Sequence, residues 1–134
     1  MKALLDTNAL LWLSFAPEEL GRRALSLIEK ARQDAALSVS AVSFWEAALL
    51  REKGKLQLDV PPVVWRREVL DLGISEIPLD GVLGVRAAQL SGLPADPADR
   101  FIVATAEREK ATLITGDHRI LEWRSELARQ DARR

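Results

Sequence analysis

Apolar positions along this chain follow two spacings, one typical of buried strands and one typical of amphipathic helices. Short apolar runs that end at turn or capping residues predict four strands, at 2–5, 36–40, 74–79 and 111–115. Apolar residues at helical spacing separate them and predict helices at 9–15, 17–33, 41–53, 61–72, 80–92 and 97–110. This alternation predicts one α/β domain with a mostly parallel sheet of four strands flanked by helices.

The end of the chain does not follow this pattern. Leu121–Trp123 is the only trace of a fifth strand, so the sheet has four strands, or five if that segment pairs. Residues 125–134 have no apolar stripe, and we expect a polar C-terminal tail that frays. The predicted domain therefore covers residues 1–124.

Apolar side chains in the helices are expected to pack in the core. This expectation covers Trp45, Val64, Trp65, Val69, Leu72, Val82, Leu83, Val85 and Ala87. The helix at 9–15 differs because it is apolar nearly all round. Core packing is the default for Trp12 and Phe15 too, but this face is the better candidate for an exposed groove that binds a partner.

Composition excludes several kinds of protein and favours none. The chain has 134 residues, of which 48% are apolar and 29% charged, so it is expected to be globular. It has no cysteine, which excludes disulfides and thiolate metal sites. The net charge of −1 gives no general attraction to nucleic acid. No apolar run is long enough for a signal peptide or a membrane span, and we expect a cytoplasmic protein without membrane contact.

The stretch from Pro94 to Ile102 predicts a sharply defined helix start that carries an inward-facing acid. Asp96 is a good N-cap and Pro97 suits the first helical position. Asp99 follows in the first turn and shares its face with the apolar positions behind it. It could simply complement the helix dipole. A carboxylate directed toward a core nevertheless needs a partner.

Three further acids are predicted near Asp99. Asp6 and Asp117 follow the first and fourth predicted strands, and Glu46 lies on a largely apolar face of the helix after the second strand. Each alone has an ordinary interpretation, as a turn residue, a cap or a solvated side chain. Together at the carboxyl end of a parallel sheet they would repel one another unless a cation lay between them. Oxygen-only ligands suit Mg²⁺ or Mn²⁺, and the single histidine, His118, is interpreted as a surface residue.

Five short motifs in order resemble those of a known family. They are Leu-Leu-Asp-Thr-Asn at 4–8, Ser-Phe-Trp-Glu at 43–46, Asp-Pro-Ala-Asp-Arg at 96–100, Ala-Thr-Ala at 104–106 and Leu-Ile-Thr-Gly-Asp at 113–117. Over residues 3–121 the chain resembles PIN domains, in particular the VapC ribonuclease toxins of toxin–antitoxin pairs. The resemblance implies an Mg²⁺-dependent endoribonuclease, in which Mn²⁺ substitutes, with a cognate antitoxin and a homodimeric assembly.

The resemblance also implies roles for individual residues. Asp6, Glu46, Asp99 and Asp117 would be the catalytic and metal-binding acids, with Asp6 and Asp99 the principal ligands. Supporting hydrogen bonds would come from Thr7, Asn8 and Thr115. Candidate contacts to RNA phosphates are Arg100, Lys53 and Lys55, although the lysines also suit the negative end of a helix dipole. The antitoxin would bind the groove that carries Trp12 and Phe15.

Two other functions remain open at this point. A phosphatase with an aspartyl-phosphate intermediate also places an acid after its first strand, but it needs a second acid two residues later, where this chain has Asn8. A non-catalytic PIN-like binding module would use the acids as caps only. Mn²⁺ binding that depends on Asp6 and Asp99 separates the module from the nuclease.

Overall fold

A five-stranded parallel sheet forms the centre of the protein, which a computed structural model describes over residues 1–134. β1 is central because each of its three residues is apolar and fully buried. The order across the sheet is β3-β2-β1-β4-β5. The strands are β1, Ala3–Leu5; β2, Leu37–Ser40; β3, Ser75–Ile77; β4, Thr112–Thr115; and β5, Arg129–Asp131. The predicted parallel α/β class is confirmed.

Helices connect the strands and cover the sheet. They are α1, Thr7–Phe15; α2, Arg22–Gln33; α3, Ala41–Glu52; α4, Pro62–Asp71; α5, Gly81–Gln89; α6, Pro97–Glu109; and α7, His118–Leu121. Three of them begin directly at carboxyl ends of strands, since Asp6, Ser40 and Asp117 are the N-caps of α1, α3 and α7. None of the helices is long and apolar enough to span a bilayer.

Two hydrophobic clusters pack against opposite faces of the sheet. Side chains alternate along β1, so Leu5 belongs to one cluster and Leu4 to the other. The first contains Leu10 of α1 and Trp65 of α4. The second contains Ile102 of α6. α6 is thereby fixed against the sheet with its first turn at the carboxyl edge.

The helix predicted at 17–33 is two elements. A short 3-10 turn covers Pro17–Glu19, and α2 begins only at Arg22. Gly21 separates them: its N–H donates to the carbonyl of Ala132 over 2.9 Å, and a Cβ there would lie 2.1 Å from the backbone of Arg134. The backbone of Arg134 therefore occupies the space that a side chain at position 21 would need.

The predicted frayed tail is wrong. Residues 129–131 form β5, which pairs in parallel with β4 in the register Leu113–Arg129 to Thr115–Asp131. The fifth strand does not arise at Leu121–Trp123, where α7 ends. The guanidinium of Arg129 closes the loop before β5, because it donates to the carbonyls of Ile120, Trp123, Ser125 and Leu127.

Five apolar side chains expected in the core are exposed. They are Trp45, Val64, Leu72, Val82 and Val85. The other expected core residues of α4 and α5 are buried; they are Trp65, Val69, Leu83 and Ala87. Each of these helices buries one narrow stripe four residues apart, and neighbouring apolar positions fall outside it.

Candidate active site

Asp6 is the most buried acid of the candidate site. The residue is 3% exposed, and its carboxylate caps α1 by accepting a hydrogen bond of 2.7 Å from the N–H of Thr7. The other oxygen accepts a bond of 2.6 Å from the hydroxyl of Thr115 at the end of β4. Burial raises the pKa of Asp6, although both hydrogen bonds act in the opposite direction. Asp6 is thus fixed between β1 and β4.

Thr115 connects Asp6 to Asp117. Its hydroxyl donates to Asp6 and accepts a hydrogen bond of 3.0 Å from the N–H of Asp117. Asp117 then caps α7, accepting from the N–H of Arg119 over 2.9 Å. The two acids that follow neighbouring strands therefore share one fully buried threonine.

Asp99 lies at the third position of α6. Its N–H donates a hydrogen bond of 3.2 Å to the side chain of Asp96, the N-cap. Its side chain is 14% exposed and accepts no hydrogen bond. Burial is the largest cause that raises the pKa of Asp99. Together with the charges of Asp6, Asp96, Asp117 and Glu46 it brings this pKa to about 7. The acids predicted from the sequence therefore lie close enough to act on one another electrostatically.

Glu46 reaches the same region from α3. Its Oε1 is buried and has no hydrogen-bond partner, and burial raises the pKa of the carboxyl group. The hydroxyls of Thr7 and Ser43 lie 2.8 Å apart and tie α1 to α3 beside it. An unpaired buried carboxylate oxygen costs free energy unless another group binds it.

Arg119 is a member of the site that sequence reasoning missed. Its guanidinium lies 3.0 Å from Asp117 and 3.7 Å from the carboxylate of Asp99, and its side chain is 60% exposed. Burial would raise the pKa of Asp117, but the hydrogen bonds and charge of Arg119 lower it below its usual value. Only its place two residues after a capping Asp hinted at this contact.

The residues present fit a hard divalent cation. All acids of the cluster offer oxygen, which suits Mg²⁺, Mn²⁺ or Ca²⁺. The unpaired Oε1 of Glu46 and the raised pKa of Asp99 show that the protein itself does little to stabilise the charged forms of these two acids. No three Asp, Glu or His side chains converge tightly enough to ligate one ion directly in this conformation. A bound cation would therefore require side-chain adjustment, and Glu46 and Asp99 are free to adjust because no hydrogen-bond donor holds Oε1 of Glu46 or the carboxylate of Asp99.

The remaining predicted residues lie in different surroundings. Thr7 is buried beside Asp6, whereas Asn8 is exposed and makes none of the hydrogen bonds that hold Asp6. Lys53 and Lys55 are exposed beyond the end of α3, and Lys53 is about 10 Å along the helix from Glu46.

The interpretation of Arg100 as an RNA contact is corrected by its hydrogen bonds. Four of its five N–H donors are used within the protein. They bind the carbonyls of Ala87, Leu90, Leu93 and Pro94. Arg100 therefore closes the loop between α5 and α6, and this loop leads into the first turn that carries Asp99.

Trp12 and Phe15 do not form one exposed groove. The guanidinium of Arg133 lies over the ring of Trp12, with Cζ of Arg133 4.8 Å from the ring centre. Phe15 is 49% exposed and lies 5.9 Å from the ring of Trp65 in α4. The expected partner surface is therefore reduced to the side of α1 that carries Phe15.

Comparison with known proteins agrees with the fold built on this sheet. Residues 3–124 match the PIN domain, and this segment includes all four predicted catalytic acids. The chain belongs to the PIN domain family. This PIN domain is 35% identical over 121 residues to Ribonuclease VapC22 of Mycobacterium tuberculosis (strain ATCC 25618 / H37Rv), with 87% of this chain and 88% of that protein covered. The family resemblance in the motifs is confirmed.

Solved structures share the fold. VapBC2 from Rickettsia felis, bound to a DNA fragment from their promoter, matches with a TM-score of 0.68 at 17% identity and covers 97% of this chain and 98% of its own. FitAcB from Neisseria gonorrhoeae matches with a TM-score of 0.64 at 21% identity, covering 97% of each chain. A toxin–antitoxin complex from Klebsiella pneumoniae gives 0.55 at 21%, covering 87% of each. At these identities the likeness concerns the fold alone.

Proposed function

We propose that this PIN domain is a Mg²⁺-dependent endoribonuclease and the toxin of a toxin–antitoxin pair. The observation that carries the proposal is the acidic cluster, in which Oε1 of Glu46 is buried without a partner and Asp99 has a pKa raised by its burial and by four neighbouring carboxylates. The similarity of the chain to Ribonuclease VapC22 supports RNA as the substrate. Mn²⁺ is expected to replace Mg²⁺ because both accept all-oxygen ligands.

Hydrolysis of RNA breaks one P–O ester bond and adds water across it. A divalent ion bound by Asp6, Glu46, Asp99 and Asp117 would lower the pKa of the attacking water and offset charge on the phosphate oxygens. The protein's part is to hold these carboxylates in place. Asp6 is oriented by Thr7 and Thr115. Asp117 is oriented by Thr115 and by its position at the start of α7. The cap at Asp96 fixes the turn that carries Asp99.

The Asp6→Asn variant tests this function. We expect Mg²⁺-dependent cleavage of RNA to be lost, while circular dichroism and thermal unfolding show a folded protein. Asp71→Asn, an exposed residue at the end of α4, is the matched control and should cleave at the wild-type rate. Full Mg²⁺-dependent cleavage by Asp6→Asn would contradict the proposal.

We infer that the partner is an antitoxin that contacts the α1 and α4 surface. Phe15 is 49% exposed and Val64 of α4 is 42% exposed, and the ring of Phe15 already packs against Trp65. Structures with this fold include toxin–antitoxin complexes. Phe15→Asp should abolish co-purification with the product of an adjacent small gene, whereas Val82→Asp should not; unchanged capture by Phe15→Asp would contradict this surface.

A homodimer is proposed through α5. Val82 and Val85 lie about one turn apart and are 74% and 60% exposed, so together they form a small apolar patch that a second copy would cover. Val82→Lys should convert a dimer into a monomer in sedimentation equilibrium. A wild-type protein that is monomeric at all concentrations would contradict the proposal.

Two lysines and the location complete the proposal. We propose that Lys53 and Lys55 contact RNA phosphates. Substitution of both by Ala should then raise the KM for RNA more at low salt than at high salt. The cytoplasm is the proposed location, where RNA and an antitoxin are both available.

A further inference from the structure

Arg133 lies next to the candidate site although it belongs to none of the motifs. Its Nη1 donates a hydrogen bond of 2.7 Å to the carbonyl of Gly116, the residue before Asp117. The same guanidinium lies over the ring of Trp12, with 4.8 Å between its carbon and the ring centre. One side chain thus contacts both α1 and the loop that follows β4.

Gly116 has no room for a side chain. A Cβ at this position would lie 2.7 Å from the ring of Trp12 and 3.0 Å from the guanidinium of Arg133. The three residues Trp12, Gly116 and Arg133, which we call the Arg133 clamp, therefore enclose the backbone immediately before Asp117. Close packing on both sides leaves this peptide a single position.

The segment that carries Arg133 is itself fixed at both ends. The N–H of Ala132 donates to the carbonyl of Thr115 over 2.9 Å, one residue from the clamp. On the other side, Gly21 and Arg23 at the start of α2 donate to the carbonyls of Ala132 and Arg134. Contacts therefore run from α2 through residues 132–134 to the end of β4.

We propose that Arg133 is a positioning residue, which clamps Gly116 against Trp12 and thereby holds Asp117 and the hydroxyl of Thr115 in their places in the acidic site. This inference rests on the nuclease function proposed above. It gives a role in the site to residues beyond 124, outside the segment that matches the PIN domain. Removing the clamp frees the Gly116 peptide, and Asp117 then moves relative to Asp6.

The test compares Arg133→Ala with Arg133→Lys and with Arg134→Ala. Arg134 is the matched control, because its side chain is 84% exposed and its ion pair with Asp131 is long, at 3.7 Å. The first readout needs neither metal nor RNA: amide hydrogen exchange of Asp117, whose N–H binds Thr115. We expect exchange at least about tenfold faster in Arg133→Ala, smaller acceleration in Arg133→Lys and no change in Arg134→Ala.

The second readout is the kinetics of RNA cleavage. We expect Arg133→Ala to lower kcat about tenfold or more, with the KM for RNA little changed and with partial recovery in Arg133→Lys. A higher KM with unchanged kcat and unchanged exchange would show a contact to RNA instead and overturn the proposal. A lower Tm with unchanged exchange at Asp117 would show a role in stability alone and also overturn it.

The two proposals fail separately. If the wild-type protein does not cleave RNA, the nuclease function is wrong, and the exchange rate of Asp117 still decides whether the clamp positions it. If Arg133→Ala does not fold, Arg133→Lys carries the comparison, and wild-type exchange at Asp117 in that variant together with a wild-type kcat overturns the clamp.

Discussion

The two halves of the acidic cluster are held in different ways. In the anchored half, which comprises Asp6, Thr115 and Asp117, every carboxylate accepts hydrogen bonds from backbone or hydroxyl donors. In the unpaired half, which comprises Glu46 and Asp99, one buried oxygen has no partner and the other side chain has only an ion pair at 3.7 Å. The anchored half is fixed by folding, whereas the charged form of the unpaired half lacks the partners that a cation would supply.

The largest expected effect of the unpaired half is on catalysis. Asp99→Asn should lower the rate of Mg²⁺-dependent RNA cleavage by about a thousandfold, since a ligand to the cation is lost. Asp96→Asn is the control, because Asn also caps a helix and the exposed Asp96 lies outside the proposed ligands. Equal losses in both variants, measured with a labelled oligonucleotide, would show that cluster charge and not ligation matters.

The second effect is on stability without metal, and its sign follows from the pKa of Asp99. The folded protein holds this proton up to about pH 7, whereas the unfolded chain releases it near 3.8. The contribution of Asp99 to stability is therefore greatest below pH 4 and is lost as the pH rises toward 7, by about 2–4 kcal/mol. Asp99→Asn removes this loss, so the free energy of unfolding of the variant should rise relative to that of the wild type between pH 4 and 7.

Urea unfolding in a chelating buffer at several pH values measures this difference. A constant gap between Asp99→Asn and the wild type across this range would mean that Asp99 titrates normally. The neighbouring acids would then not act on it as the structure indicates.

The anchored half should respond in the opposite direction. Thr115→Val removes the hydroxyl that donates to Asp6 and that accepts from the N–H of Asp117. We expect the free energy of unfolding to fall by about 1–3 kcal/mol. Because both acids lose their orientation, affinity for Mn²⁺ should also fall tenfold or more. Unchanged stability and affinity in calorimetry would show that Thr115 does not organise the site.

The smallest effect is expected at Arg119, which links the two halves. Its side chain is 60% exposed, so its removal should change stability by less than about 1 kcal/mol. Arg119→Ala should bind Mn²⁺ more tightly, by a factor on the order of five at most, because a competing positive charge is gone. Weaker binding, seen by electron paramagnetic resonance, would instead show that Arg119 orients Asp117 for the metal.

Much of the fold was readable from local sequence. The four strands with apolar residues were predicted. The positions of Asp6 and Asp117 after strands, of Asp99 in a first helical turn and of Glu46 within a helix were predicted as well. β5 was missed because Arg-Gln-Asp carries no apolar pattern. This edge strand forms through pairing with β4 and through Arg129, which binds four carbonyls of the preceding loop.

The arginines show why side-chain roles were harder to predict. Arg100 follows Asp99 in sequence yet binds backbone carbonyls, whereas Arg119 reaches Asp99 from a different helix. Both arginines follow an acid within two residues in the sequence. Only the path of the loops, set by long-range contacts, decides which guanidinium faces the site.

Direct titration with Mn²⁺ at neutral pH, followed by electron paramagnetic resonance, tests the central claim that these acids share a cation. The wild-type protein should bind Mn²⁺ saturably, and the double variant Asp6→Asn/Asp99→Asn, folded by circular dichroism, should bind at least about a hundredfold more weakly. Equal affinity in the two proteins would contradict the account, because the acids would then be caps and not ligands.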